Sequence, residues 1–160
     1  MFSDRLKVMK KIQFKKLLAA ILLCEGVGLI GSFFTISAIP SWYLFLNKPF
    51  FSPPNWLFGP VWTLLYLLMG ISLYWIWVKK PQVLKIFWLQ LFLNGIWTPI
   101  FFGLRSPLLG LLIILFLLLA IILTIKTFYK IYPPAGLILI PYLAWVSFAT
   151  LLNLGILLLN

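Results

Sequence analysis

The polar residues that this chain places inside apolar stretches are few, and they fall in a pattern. One apolar stretch carries two amides and two aromatic rings at positions i, i+4, i+7 and i+11: Gln90, Asn94, Trp97 and Phe101. On a helix these four side chains share one face. Because amides that faced acyl chains would lose their hydrogen bonds, this face must point into the protein.

Two other apolar stretches carry aromatic and amide residues with helical spacing. Trp62 and Tyr66 are one turn apart, and a later arc holds Tyr142, Trp145, Ala149 and Asn153. Three helices therefore each point a tryptophan inward, and aromatic walls with a few amides are typical of a site for a flat apolar ligand. A solid core of large rings is the alternative. An interfacial belt explains the tryptophans near predicted helix ends, namely Trp42, Trp56, Trp75, Trp77 and Trp88.

Conventional catalytic and metal-binding groups are scarce. The chain has no histidine and one cysteine, Cys24, which excludes disulfide frameworks and cysteine-based metal sites. No acid-base dyad or nucleophile constellation occurs, so we expect a binding protein rather than an enzyme, with no metal and no required cofactor. Glu25 is the only acid inside a predicted span. It has either a proton or substrate role or a packing role.

The amino-acid composition indicates whether water or lipid surrounds the chain. Of its 160 residues 64% are hydrophobic and 9% are charged, and the mean hydropathy is +1.12. A soluble protein carries about 25% charged residues, so lipid must surround most of this chain. The net charge of +11 does not indicate a nucleic-acid partner, because the cations lie at the ends of apolar stretches.

The apolar stretches predict an all-α fold, an integral membrane bundle of five transmembrane helices. Each crossing needs about 20 residues. We expect a basic tail over residues 1–16 and one membrane domain over residues 17–160. The predicted helices cover residues 17–39, 56–78, 83–104, 108–128 and 135–159, with a long loop at 40–55 and a turn at 129–134.

The basic residues also predict an orientation. The tail carries six, the second connection three and the fourth connection two, whereas Lys48 and Arg105 alone lie at the opposite end. Cytoplasmic loops collect positive charge, so we expect a cytoplasmic N-terminus, with the first long loop and the C-terminus outside.

The chain resembles the TspO/MBR family of translocator proteins and tryptophan-rich sensory proteins. The matching blocks keep their order and spacing from Trp42 to the C-terminus. They are Trp42-Tyr43, Lys48-Pro49, Pro53-Pro54-x-Trp56, Phe58-Gly59-Pro60-Val61-Trp62-Thr63-x-x-Tyr66-x-x-Met69-Gly70, Gln90-Leu91-x-x-Asn94-x-x-Trp97-x-Pro99-x-Phe101-Phe102-Gly103 and Pro141-Tyr142-x-x-Trp145-x-x-Phe148-Ala149-x-x-x-Asn153.

The resemblance implies a five-helix bundle whose first loop closes over a pocket that binds porphyrins such as protoporphyrin IX. The implied role is that of a tetrapyrrole sensor, scavenger or carrier in a bacterial inner membrane, and a homodimer is compatible with it. Carried over by motif, the ligand-binding residues would be Tyr43, Pro53, Trp62, Tyr66, Asn94, Trp97, Thr98, Phe101, Trp145, Ala149 and Asn153.

Two alternative functions stay open. One is light-dependent degradation of protoporphyrin, with Trp62 or Trp145 as the electron partner. The other is transport of sterols or other small molecules, although we find no internal repeats or broken helices of the kind that transporters usually have.

The chemistry of the proposed ligand narrows its form and orientation. Without an obvious axial ligand for haem iron, a metal-free porphyrin is expected. Its carboxylates would pair with Lys48 or Arg105; the alternative for both cations is snorkelling to headgroups.

Overall fold

Within the part of the chain that the structure describes, five helical segments are long and apolar enough to cross a membrane. The computed structural model describes residues 12–160. Its helices are α1 (Phe14–Ser41), α2 (Phe58–Lys79), α3 (Lys85–Thr98), α4 (Pro107–Ile131), a short α5 (Pro133–Leu137) and α6 (Ile140–Leu159). No strand occurs among the described residues. The predicted fold class, an all-α bundle with five apolar helices, is confirmed.

Helix α1 begins three residues earlier than the predicted first helix, at Phe14 instead of residue 17. Residues 1–11 of the tail lie outside the described part of the chain. From Phe14 onward the chain is helical, so Lys15 and Lys16 belong to the first turn of α1. Long basic side chains reach headgroups from a helix end, which allows the helix to continue through them.

α3 changes its hydrogen-bond pattern near its end because of Pro99. Proline has no N–H and cannot continue the ordinary helical ladder. The residues Pro99–Gly103 form a π-helical turn, in which the N–H of Leu104 donates to the carbonyl of Pro99 at 2.9 Å. This turn widens the helix where the aromatic residues of its motif lie.

The last predicted turn and helix are both corrected by the structure. The turn expected at residues 129–134 is replaced by helix up to Ile131, and α5 begins two residues later at Pro133. Proline is well suited to the first helical position. The helix expected over residues 135–159 is interrupted between Leu137 and Ile140, because Pro141 cannot donate to the carbonyl four residues before it.

The long first connection is partly ordered as 3₁₀-helix, at Tyr43–Phe45 and Asn55–Leu57. Residues 42–54 of it are called the cover loop below. The loop is attached to the end of the chain: the N–H of Asn47 donates to Oδ1 of Asn160 at 3.0 Å, and Nδ2 of Asn160 donates back to the carbonyl of Asn47 at 2.9 Å. The C-terminus therefore helps to position the loop.

The two ends of the bundle are packed differently. At the end where α1 begins, called the tail end, α1 approaches α2 so closely that a Cβ added to Gly70 would lie 2.6 Å from Cα of Ile21. Phe87 of α3 and Phe128 of α4 stack there at 5.8 Å in a solid core. At the opposite end, called the loop end, a smaller core of four buried side chains forms instead: Tyr43, Phe101, Leu152 and Ile156.

Candidate ligand-binding site

A cavity of about 340 Å³ lies between α1, α2, α3 and α6 in the loop-end half of the bundle. Tyr43 of the cover loop closes it at one end, and Tyr66 and Glu25 mark its other end. Its wall is mostly apolar and aromatic. A volume of this size lies near the lower limit of about 300–1,000 Å³ for small-molecule sites.

The three tryptophans predicted to point inward lie on this one wall: Trp62 from α2, Trp97 from α3 and Trp145 from α6. Trp97 is stacked on Phe101 with 5.0 Å between ring centroids, and Trp145 meets Phe58 edge-on at 6.0 Å. Packed rings of this kind hold each other in place. The wall therefore presents preformed flat surfaces to whatever fills the cavity.

Nine of the eleven side chains predicted to bind a ligand line the cavity, and two do not. The two that do not are Pro53 and Asn94, of which Asn94 is buried behind the wall. The nine are Tyr43, Trp62, Tyr66, Trp97, Thr98, Phe101, Trp145, Ala149 and Asn153.

Instead of lining the cavity, Asn94 forms hydrogen bonds with two tyrosines. Its Oδ1 accepts a hydrogen bond from the hydroxyl of Tyr66, and its Nδ2 donates to the hydroxyl of Tyr142 at 2.8 Å. The Tyr142 hydroxyl in turn donates to Oε1 of Gln90 at 3.0 Å. The amides of α3 do point into the protein, and they set the position of Tyr66 on the cavity wall.

Two indole N–H groups of the wall residues have no acceptor. Nε1 of Trp97 and Nε1 of Trp145 are buried without a hydrogen-bond partner within residues 12–160. Leaving a buried donor unpaired costs about 1–3 kcal/mol. A ligand that offered an oxygen acceptor near either ring would offset part of this cost.

Two glycines of α1, Gly28 and Gly31, also line the cavity. A Cβ added to Gly28 would lie 2.5 Å from Cε2 of Tyr66, and one added to Gly31 would lie 3.3 Å from Oγ1 of Thr98. The sequence alone did not assign these two glycines to the cavity. The signal for that assignment was the spacing of Glu25, which lies one turn before Gly28 on the same face and also lines the cavity.

Comparison with known proteins agrees with this architecture. The sequence model of the TspO/MBR family matches residues 20–159. The chain belongs to the TspO/MBR family. It is 50% identical over 149 residues to the tryptophan-rich protein TspO of Archaeoglobus fulgidus. The aligned region covers 91% of this chain and 97% of that protein.

Relatives occur in distant organisms. The TspO/MBR chain is 46% identical to the tryptophan-rich protein TspO of Chlorobaculum tepidum, over 86% of this chain and 91% of the other. It is 40% identical to the translocator protein of Homo sapiens, over 78% of each chain. The predicted family and the multi-pass membrane character are thus both confirmed.

The two cations of this TspO/MBR chain that were predicted to pair with carboxylates lie off the cavity wall. Nζ of Lys48 donates to the carbonyls of Leu44 and Leu46 at 3.2 and 3.3 Å, and it lies 4.9 Å from the ring centroid of Tyr43. Burial raises the pKa of the Tyr43 phenol, which stays neutral beside that cation. Arg105 is exposed in the turn after α3. Carboxylate pairing by either cation stays a prediction.

The cavity reaches the lipid-facing surface between α1 and α2. Leu29 and Ile36 of α1 and Gly59 and Thr63 of α2 line the cavity and are also exposed on the outside of the bundle. A Cβ added to Gly59 would meet no atom within 4 Å. The two helices therefore touch at the tail end and separate at the loop end, which leaves a lateral opening for an apolar molecule.

Proposed function

We propose that this TspO/MBR chain binds a flat aromatic ligand of the porphyrin type in its cavity and acts as a tetrapyrrole sensor, scavenger or carrier. The observation that carries the proposal is the convergence of indole rings from three helices on one wall. A planar macrocycle presents two faces to such rings. Each offset-stacked or edge-on pair would contribute about 0.5–1.5 kcal/mol beyond the burial of apolar area.

The size of the cavity favours partial insertion. A porphyrin is larger than a cavity of about 340 Å³ accommodates without displacement of side chains. The lateral opening between α1 and α2 lets one edge of the macrocycle project toward lipid while the opposite edge lies among the rings. Such a pose would bury apolar surface on both sides, and that burial supplies most of the affinity.

A metal-free porphyrin suits the chain better than haem. The sequence contains no histidine. Among residues 12–160 the sulfur-containing side chains are Cys24 and Met69, which are fully buried in the core and do not lie on the cavity wall. The described cavity wall thus offers neither histidine nor sulfur to a haem iron, and stacking and shape would hold a metal-free ligand.

The proposed orientation places the cover loop and the C-terminus outside and the tail in the cytoplasm. It is supported by the positions of the basic residues: Lys79, Lys80 and Lys130 lie at the tail end, as do Lys15 and Lys16, whereas Lys48 and Arg105 lie at the loop end. In this arrangement the ligand is taken up from the outer half of the membrane.

A second candidate, light-dependent degradation of protoporphyrin, is favoured by one observation. Trp62 and Trp145, the two tryptophans implied as electron partners, lie on the same cavity wall. A macrocycle that fills the cavity would contact both indoles, which is the proximity that electron exchange requires. Illumination of the complex distinguishes the two candidates, as described below.

Titration of the purified protein in nonionic detergent with protoporphyrin IX, followed by tryptophan quenching, tests the proposal. We expect saturable quenching, lost in a Trp97→Ala, Trp145→Ala double variant. The control is a Trp56→Ala, Trp88→Ala double variant, which removes two indoles that do not line this cavity. Equal loss in both variants, or non-saturable quenching, would contradict a specific site.

Illumination of the saturated complex then separates binder from enzyme. A binder returns protoporphyrin with an unchanged absorption spectrum. An enzyme yields a shifted spectrum, and a Trp145→Phe variant that binds normally abolishes the shift.

A further inference from the structure

One charged side chain lies on the wall of the cavity, and it is an acid. Among the described residues that line the cavity, Glu25 alone carries a formal charge. It stands eleven residues after the start of α1, about 16 Å along a helix that is about 42 Å long. A carboxyl group at that depth is expensive to keep in a bilayer, which makes its position in a cavity a feature that needs an explanation.

No cation compensates Glu25 within the described structure. In residues 12–160 it forms no ion pair within 4.0 Å and no side-chain hydrogen bond. Two polar side chains near Glu25 are Cys24 on its own helix and Tyr66 on α2, and neither is a cation. Tyr66 donates its hydroxyl hydrogen to Asn94 and so does not satisfy the acid.

The cavity thus has a charge asymmetry along its length. Glu25 lies at its tail end, whereas Lys48, the cation next to the wall residue Tyr43, lies at the loop end. A ligand with a positive or N–H-bearing edge is complementary to the first end. A ligand with a negative edge is complementary to the second.

We propose that Glu25 is a ligand-recognition residue that makes the cavity prefer flat aromatic molecules with a basic nitrogen at one edge. The proposal rests on the proposed function, because it assigns a ligand class to the same cavity. A protonated nitrogen next to the carboxylate forms a charge-assisted hydrogen bond in a site with little water. The bound cation also offsets part of the cost of an isolated charge in the membrane.

The same asymmetry orients ligands that bear carboxylates. Glu25 repels an acidic edge, so the propionates of a porphyrin lie toward the cover loop and its pyrrole N–H groups remain in the part of the cavity nearer the acid. Basic and acidic flat ligands would thus enter the same cavity with opposite polarity. The residue acts on selectivity between ligands rather than on the existence of the site.

The test compares two probes of nearly the same shape, 9-aminoacridine, which is a cation near neutral pH, and acridine, which is neutral. Both are titrated into the full-length protein in nonionic detergent by tryptophan quenching. We expect wild type to prefer 9-aminoacridine by about tenfold or more, the effect of a close charge pair in a poorly hydrated site. Glu25→Gln should abolish the preference by weakening 9-aminoacridine and leaving acridine unchanged.

Two further measurements keep the result interpretable. Glu25→Asp keeps the charge and should retain most of the preference, so its behaviour separates charge from shape. Competition with protoporphyrin IX shows that both probes occupy the cavity. A wild type that binds both probes equally, or a Glu25→Gln variant that weakens both to the same extent, would overturn the recognition role. Failure of all three ligands to bind wild type would instead contradict the proposed function.

Discussion

The hydroxyl of Tyr66 donates to Oδ1 of Asn94, so a ring on the cavity wall is held by an amide that the cavity does not reach. The same amide donates to Tyr142. One side chain of α3 therefore connects α2 and α6, and it aligns the aromatic wall without touching a ligand. Its contribution to binding is indirect and can be separated experimentally from direct contact.

Substitution of Asn94 by leucine should destabilise the protein. The change leaves the hydroxyls of Tyr66 and Tyr142 without their partner and should lower the free energy of unfolding by about 1–3 kcal/mol. Thermal unfolding in detergent, followed by near-ultraviolet circular dichroism, measures the effect. The matched variant Tyr66→Phe removes one hydrogen bond only and should cost about 0.6–1.5 kcal/mol. Equal stability of Asn94→Leu and wild type would refute the role of the network.

The cover loop should open more readily when its contact with the C-terminus is removed. Asn160→Ala deletes the two hydrogen bonds that its side chain makes with Asn47. At about 0.5–1.5 kcal/mol for each bond, the two bonds together contribute about 1–3 kcal/mol, so the dissociation rate of bound protoporphyrin should rise by about fivefold to about 140-fold. Stopped-flow fluorescence with an excess of competitor measures that rate. Leu158→Ala, which truncates an exposed side chain on the same turn, is the control and should leave the rate unchanged.

Two glycines of α2 should respond oppositely to alanine. Gly70→Ala places a methyl group 2.6 Å from Cα of Ile21, and the backbone of α1 cannot yield cheaply, so we expect a loss of about 1–3 kcal/mol in unfolding free energy. Gly59→Ala meets open space and should leave stability at or slightly above that of wild type. Urea or thermal unfolding of the pair decides the matter. A larger loss at Gly59 than at Gly70 would show that the helices do not separate toward the loop end.

The turn between α3 and α4 should become more stable with glycine at position 105. Arg105 has φ 53°, a left-handed conformation that favours glycine. Arg105→Gly should therefore raise the free energy of unfolding by up to about 1 kcal/mol, whereas Arg105→Ala should not. A higher melting temperature for the alanine variant than for the glycine variant would contradict this expectation.

The positions of the spans could be predicted from hydropathy, because lipid imposes a minimum length of apolar helix. The ends of the helices could not. Lys130 looked like part of a turn, yet α4 continues through it, since a lysine near a helix end reaches the headgroups with its long side chain. The interruption before Pro141 was missed as well, because a proline in a long apolar stretch does not disclose whether the helix bends or breaks.

The face of each helix could be predicted, but the distance of each residue from the cavity could not. Asn94 and Trp97 lie on one face of α3, yet Trp97 is on the wall and Asn94 lies behind Tyr66. Periodicity assigns a direction on one helix only. Which neighbouring side chain stands in between depends on another helix. For the same reason the sequence identified Glu25 as an acid inside a span but did not place it on the wall of a cavity.

Asn160 helps to hold the cover loop in place. Asn160 and the carbonyl of Leu159 both bond to Asn47, and Pro49 packs over Gly155 one turn earlier. A purification tag or a fluorescent fusion after Asn160 adds bulk at the point where the cover loop contacts the end of α6. Affinities measured on such fusions would describe a protein whose cover loop is held less firmly, so labels should be placed at the N-terminus.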